Sequence, residues 1–223
     1  NNGADDVIVK EDGSAFVPVH AATDHGDGNE TLSLTLNGVG PGWTLTGAGW
    51  TPTGTPGQFK ITLPPGADYA GGFTLKPPAN SDADLSGLSV TALASDPDGG
   101  TATGSDTFRV ITDAVADAPT VHGEDATGNR GTALNVVIGG AVTDTDGSES
   151  ITGYKISGVP SGFVFNHGSN LGGGVWSFTP AQIAGLTITP PASYVGKLPL
   201  TVTAFSGETV LSGVEITTTD NTN

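Results

Sequence analysis

The residues most able to do chemistry in this chain are its carboxylates, 23 Asp and Glu against 7 Lys and Arg, for a net charge of −16. They are not spread evenly. Asp144-Thr145-Asp146-Gly147-Ser148-Glu149 sets three acids in six residues, and Asp82-Ala83-Asp84 repeats the Asp-x-Asp spacing. Glu11 stands beside Asp12, Asp113 and Asp117 flank a short segment, and further acids lie at Asp24, Asp27, Glu30, Asp96 and Asp98. Carboxylates held about 4 Å apart repel by ~4 kcal/mol per pair at an effective dielectric near 20. Hard oxygen donors at alternating spacing suit Ca²⁺, which takes about 6–8 oxygens at roughly 2.3–2.6 Å. The alternative is a set of solvated loop acids that repel weakly across water. Asp96-Pro97-Asp98-Gly99-Gly100 in particular is also a plain turn sequence.

Other chemistries find little support. His20, His25, His122 and His167 share no metal-ligand spacing. No Gly-x-Ser-x-Gly elbow presents a serine nucleophile. Gly172-Gly173-Gly174 precedes no helix that would bind phosphate, so it reads as a turn. There is no Cys, which excludes disulfides, thiolate metal sites and Cys nucleophiles. The reading is therefore not an enzyme. Seven cationic side chains are too few to neutralise a phosphate backbone, so nucleic acid is no expected partner. No stretch approaches the roughly 18 apolar residues of a membrane span, so no membrane insertion is expected. Trp43, Trp50 and Trp176 offer a second chemistry, stacking on a sugar. Trp50, in the Gly/Thr/Pro-rich segment 47–57, is the best ligand-facing candidate among them.

The elements that position these residues repeat. Asn37-Gly38-Val39-Gly40-Pro41-Gly42-Trp43 matches Ser157-Gly158-Val159-Pro160-Ser161-Gly162-Phe163. Thr74-Leu75-Lys76-Pro77-Pro78-Ala79 matches Thr187-Ile188-Thr189-Pro190-Pro191-Ala192, and Val90-Thr91-Ala92 matches Val202-Thr203-Ala204. Landmarks in one order at a slowly drifting spacing indicate a tandem duplication, with domains at 1–116 and 117–223. Abundant Gly, Pro, Thr and Val disfavour helix. Strands are predicted at Val7–Val9, Ala15–Val19, Thr31–Leu36, Trp43–Leu45, Phe59–Leu63, Phe73–Leu75, Leu88–Leu93 and Thr107–Ile111. Thr179-Pro180-Ala181-Gln182 reads as one capped helical turn between strands. The fold class is all-β: two tandem immunoglobulin-like or cadherin-like β-sandwiches in an elongated arrangement.

Alternating strand direction then sorts the acids by end. Glu11, Asp82, Asp84, Asp113 and Asp117 are expected at one end of the first repeat, meeting Asp144, Asp146 and Glu149 of the second. A Ca²⁺ site at that inter-domain junction is the expectation. Asp24, Asp27, Glu30, Asp96 and Asp98, with Asp5 and Asp6 arriving on the first strand, are expected at the opposite end, as half of a second Ca²⁺ site shared with a preceding repeat. The second repeat has lost the acids at its own far end, Asn129-Arg130-Gly131 and Ala192-Ser193-Tyr194. In place of the Asp96–Gly100 loop it is expected to carry a short hairpin around Ser206-Gly207.

The series Asp144–Glu149, Gly158–Gly162, Thr179–Leu186 and Thr189-Pro190-Pro191 resembles the tandem repeats of large bacterial RTX adhesins and biofilm-associated surface proteins. The placement of Glu11, Asp82-x-Asp84 and the linker acids is similar to cadherin inter-domain calcium sites. The resemblance implies extender repeats of a monomeric rod, outside the cell or on its surface, exported by type I secretion and stiffened by Ca²⁺. Partners would be the neighbouring repeats of the same chain. The alternative is a module that binds a host or biofilm glycan or protein. With no Met and no signal peptide, the chain is expected to be a piece of a longer protein.

Overall fold

The computed structural model describes residues 6–23, 28–144 and 146–208. The chain divides into two compact units, Asn1–Val115 and Ala116–Asn223.

In the first unit, short runs of alternating apolar residues between Gly/Pro turns form nine strands among the described residues. They are β1 (Asp6–Lys10), β2 (Ala15–Ala21), β3 (Thr31–Asn37), β4 (Thr44–Thr46), β5 (Thr51–Pro52), β6 (Phe59–Thr62), β7 (Tyr69–Lys76), β8 (Leu85–Asp96) and β9 (Gly100–Asp113). One sheet runs β1-β9-β8-β3-β6-β5 and the other β2-β7-β4. Period-2 alternation turns Leu34 and Leu36 of β3, Leu88 of β8 and Val110 of β9 inward, toward Phe73 and Leu75 of β7. These side chains are at most 1% exposed. Each contributes roughly 1.5–3 kcal/mol by leaving water. β1 pairs with β9 in parallel, Lys10 opposite Asp113, whereas the other pairings are antiparallel. The chain therefore leaves β1 and β9 at the same end of the unit. The β8–β9 turn lies at the opposite end.

The second unit holds β10 (Thr120–Gly123), β11 (Leu134–Asn135), β12 (Ile138–Ala141), β13 (Glu149–Ser157), β14 (Val164–Phe165), β15 (Ser169–Gly172), β16 (Val175–Phe178), β17 (Thr187–Thr189) and β18 (Thr201–Glu208). Its sheets are β15-β16-β13-β18 and β11-β17-β14, with β10 paired to β12. Ile156, Phe163, Phe165, Phe178, Leu186 and Ile188 form the core. A single 3₁₀ turn at Pro180–Gln182 joins β16 to β17. There the Thr179 N–H donates to the Gln182 side chain at 2.9 Å. Both units are immunoglobulin-like β-sandwiches.

The repeated Gly-Val motif has the same role in each unit. Gly38 and Gly158 adopt φ of +92° and +86°. A Cβ there would lie 2.7 Å from the Gly87 carbonyl oxygen and 3.1 Å from that of Pro199. Only glycine fits such a left-handed close approach. It turns Val39 and Val159 into their cores, at 7% and 4% exposure.

Two expectations are corrected. Ser206 and Gly207 form no hairpin: they lie inside β18, opposite Ile151 and Ser150 of β13. Gly207 serves there as a flat spot rather than a turn residue, since a Cβ would come within 2.9 Å of Thr152 Cγ2. Trp50 does not face a ligand. It is 7% exposed and packs edge-on against Phe73, at 5.3 Å between ring centroids. Its indole N–H donates to the Tyr69 hydroxyl at 2.8 Å.

Candidate metal centre

The acidic segment of the second unit runs from the end of β12 to the start of β13. It is shaped by its own short polar side chains. Asp144 Oδ1 accepts the Asp146 N–H at 3.0 Å, and Asp146 Oδ1 accepts the Ser148 N–H at 2.9 Å. These two successive Asx turns curl the backbone without help from a sheet. The Ser148 hydroxyl donates to Asp146 Oδ1 at 2.6 Å, with Asp144 Oδ2 at 3.4 Å. Gly147, at φ +97°, lets the loop turn back into β13. Asp144, Ser148 and Glu149 all end up buried, at 7%, 5% and 6% exposure.

Glu149 opens β13 directly opposite Glu208, the last residue of β18. All four oxygens of these two carboxylates are shielded from solvent and accept no hydrogen bond. One oxygen of Glu208 also lies within 4.8 Å of one of Asp144. Burial pushes the Glu208 carboxyl above its ordinary value. The Ser148 hydroxyl opposes that rise, and the charges of Glu149, Asp144 and Asp146 add to it. Ser148 has one proton, however, and its short bond to Asp146 takes it. Glu208 is thus left beside three like charges without a donor.

A buried carboxylate without a donor costs several kilocalories per mole unless it is neutralised. Two facing each other across a rung add repulsion. The donors on offer are hard carboxylate oxygens, with no sulfur or imidazole among them. That set fits an alkaline-earth cation such as Ca²⁺. Asp144 and Glu208, whose oxygens lie within 4.8 Å of each other, would hold it, and Glu149, facing Glu208 across the rung, would complete the set. Glu208 was not among the acids singled out in the sequence, since it stands alone rather than in an Asp-x-Asp run. Asp146 neighbours this group, its Oδ1 occupied by Ser148. Asp117 enters the same unit half-exposed, its carbonyl accepting the Ser206 hydroxyl at 2.6 Å.

In the first unit, Glu11, Asp84 and Asp113 gather where β1 and β9 end. The Glu11 N–H donates to the Asp113 carbonyl at 2.9 Å, and a Glu11 carboxylate oxygen accepts the Val115 N–H. Asp84 Oδ1 accepts the Thr112 N–H at 2.9 Å, and the Thr112 hydroxyl donates to the Ala83 carbonyl at 3.2 Å. Asp12, at φ +58°, accepts the Asn80 N–H at 3.2 Å. The loop between β7 and β8, which carries Asp82, is thereby laced to the ends of β1 and β9. Glu11 is 5% exposed, whereas Asp113 is open to solvent.

The acids expected at the opposite end of the first unit are placed as follows. Asp24 and Asp27 lie outside the described residues. The Glu30 carbonyl accepts the Gly66 N–H at 2.8 Å. Asp96 and Asp98 build the β8–β9 turn: Asp96 Oδ1 accepts the Asp98 N–H at 2.8 Å, and its carbonyl accepts the Gly99 N–H at 3.1 Å. Asp6 is held by Arg109, its register partner across β1 and β9, through two bonds of 2.6 Å. The guanidinium keeps the Asp6 carboxyl below its usual range. An acid expected to await a cation is already neutralised within the sheet.

No protein-family model matches the chain, and no curated protein does. Among solved structures it is similar to the titin domains Z1Z2 in complex with telethonin. The identity is 11%, covering 89% of this chain and 88% of that one, at a TM-score of 0.27. It is also similar to murine CEACAM1b at 11% identity, over 84% of this chain and 81% of that one, at a TM-score of 0.24. No helix among the described residues is long and apolar enough to cross a membrane. The immunoglobulin-like assignment rests on the sheets themselves, and the candidate centre on the buried acids of the second unit.

Proposed function

We propose that the chain is a pair of structural extender repeats from a large bacterial cell-surface or secreted adhesin, made rigid by Ca²⁺ bound at the acidic junction between repeats. The observation that carries this reading is the Glu149–Glu208 pair, with four carboxylate oxygens withdrawn from water and given no donor. Such a pair is neutralised either by a proton or by a cation, and the all-oxygen set of neighbouring acids supports the cation. The resemblance to RTX adhesin repeats supports the location, outside the cell and after type I secretion. Calcium there is abundant, and extracellular modules bind it at roughly 10⁻⁴–10⁻³ M. A glycan-binding role would need an exposed aromatic platform, and burial of Trp50 removes its best candidate.

A cation that binds only the folded chain stabilises it by RT ln(1 + [Ca²⁺]/Kd), about 2.7 kcal/mol at a hundredfold excess over Kd. Thermal unfolding in Ca²⁺ and in chelator measures this. A saturable rise in Tm with Ca²⁺ is expected. Superimposable curves in Ca²⁺ and chelator would overturn the proposal.

A further inference from the structure

We infer that Glu208 is a ligand of the cation and that the ion acts as a cross-strand tie, holding the end of β18 onto β13. The inference rests on the proposed cation reading of this unit and adds to it a residue and a consequence. The geometry is that of a single rung. Glu149 and Glu208 face each other in register, at the position where cross-strand side chains come closest and like charges oppose pairing. Glu149 is 6% exposed, and neither of its oxygens meets a donor. Asp144 brings a third carboxylate within 4.8 Å of Glu208.

The pairing of β13 with β18 is interrupted by a register shift between Ile151 and Gly153. Beyond the shift the rungs carry Tyr154, Ile156 and Ala204 into the core. Before it three rungs remain among the described residues: Glu149 with Glu208, Ser150 with Gly207, and Ile151 with Ser206. Gly207 contributes no side chain to these, and the terminal rung is repulsive. This short end is therefore poised to open by itself when no cation is bound, while the core rungs stay closed. Ser206 also grips the Asp117 carbonyl at 2.6 Å, so opening frees the chain where it enters the unit. The cation thus reaches from the acidic loop, through β18, to the entering chain.

The test combines calorimetric Ca²⁺ titration with amide hydrogen exchange on the whole chain, wild type and Glu208→Gln, in saturating Ca²⁺ and in chelator. Glu208→Gln removes one of two facing charges and keeps the shape, so the variant is expected to fold. In wild type, Ca²⁺ should slow exchange about tenfold or more over residues 149–151 and 206–208, and leave residues 153–157 and 201–205 unchanged. Glu208→Gln should weaken Ca²⁺ binding by about tenfold or more, yet slow exchange at the same amides in chelator, because the repulsion is gone. Opposite signs in the two conditions are not expected of a merely structural glutamate. Wild-type Ca²⁺ binding with unchanged affinity in Glu208→Gln overturns this inference and leaves the proposed function standing. Absence of Ca²⁺ binding by the wild type overturns both.

Discussion

Glu149 poses the molecule's sharpest electrostatic problem, a carboxylate without a donor in a strand whose partner offers another carboxylate. Glu149→Gln is predicted to raise the stability of the second unit in chelator by about 1–3 kcal/mol. In Ca²⁺ it should lower stability relative to wild type, because a ligand is gone. Calorimetry under the two conditions reads both signs. Tyr69 shows the contrasting case, a polar group fully provided for. Its hydroxyl accepts from Trp50 Nε1 at 2.8 Å and from the Gly72 N–H at 3.0 Å, and donates to the Gly72 carbonyl at 3.2 Å. Tyr69→Phe orphans these partners and should cost about 1–3 kcal/mol in urea unfolding, with the calcium increment intact. Asp6 gives a pH dependence of known sign. Its folded value lies below 3.8 because Arg109 holds the charged form. Its contribution is therefore complete above pH 3.8 and is lost as pH falls through the lower folded value. An NMR titration should place the Asp6 midpoint below 3.8 in wild type and return it to the ordinary range in Arg109→Gln. Both side chains are open to solvent, so salt should weaken the effect.

At the scale of elements, the strands of the first repeat were legible because alternation and turn residues coincide. Seven of its predicted strands lie on or within a residue of β1, β2, β3, β6, β7, β8 and β9, and the eighth on β4. The Gly-Val motif was legible as a repeat, and its reason emerged only with the backbone, a left-handed turn against a neighbouring carbonyl. Gly57 shows the same constraint without a sequence signal. It has φ +71°, and a Cβ would meet the Val39 carbonyl oxygen at 2.3 Å. Gly57→Ala should cost about 1–3 kcal/mol and more for the clash. Gly54, at φ +93° with open space around it, should lose only the conformational part. Urea midpoints of the two variants separate the effects. What misled the sequence reading was also local. Ser206-Gly207 has turn composition, yet glycine in a strand can equally mark a crowded neighbour, here Thr152. Trp50 sits in a Gly/Pro-rich run that reads as surface, and only the folded sheets show Phe73 beneath it. The ion pair that neutralises Asp6, with Arg109 across the β1–β9 pairing, is visible only in three dimensions.

At the scale of the whole molecule, a net charge of −16 on a cysteine-free chain places the burden of stability on apolar cores and on whatever counters the acids. Each unit has a core of its own. Phe73→Ala should destabilise the first unit by about 3–5 kcal/mol, and Ile156→Ala the second by about 2–5 kcal/mol, as read by denaturant unfolding. Monovalent salt should raise stability modestly in either case by screening, without reproducing the saturable effect expected of a bound divalent ion. The account rests on that ion, and anomalous diffraction from crystals of the whole chain grown in Ca²⁺ tests it most directly. The predicted result is a calcium peak about 2.3–2.6 Å from carboxylate oxygens of both Glu149 and Glu208. A map with water alone between these two side chains would contradict the account.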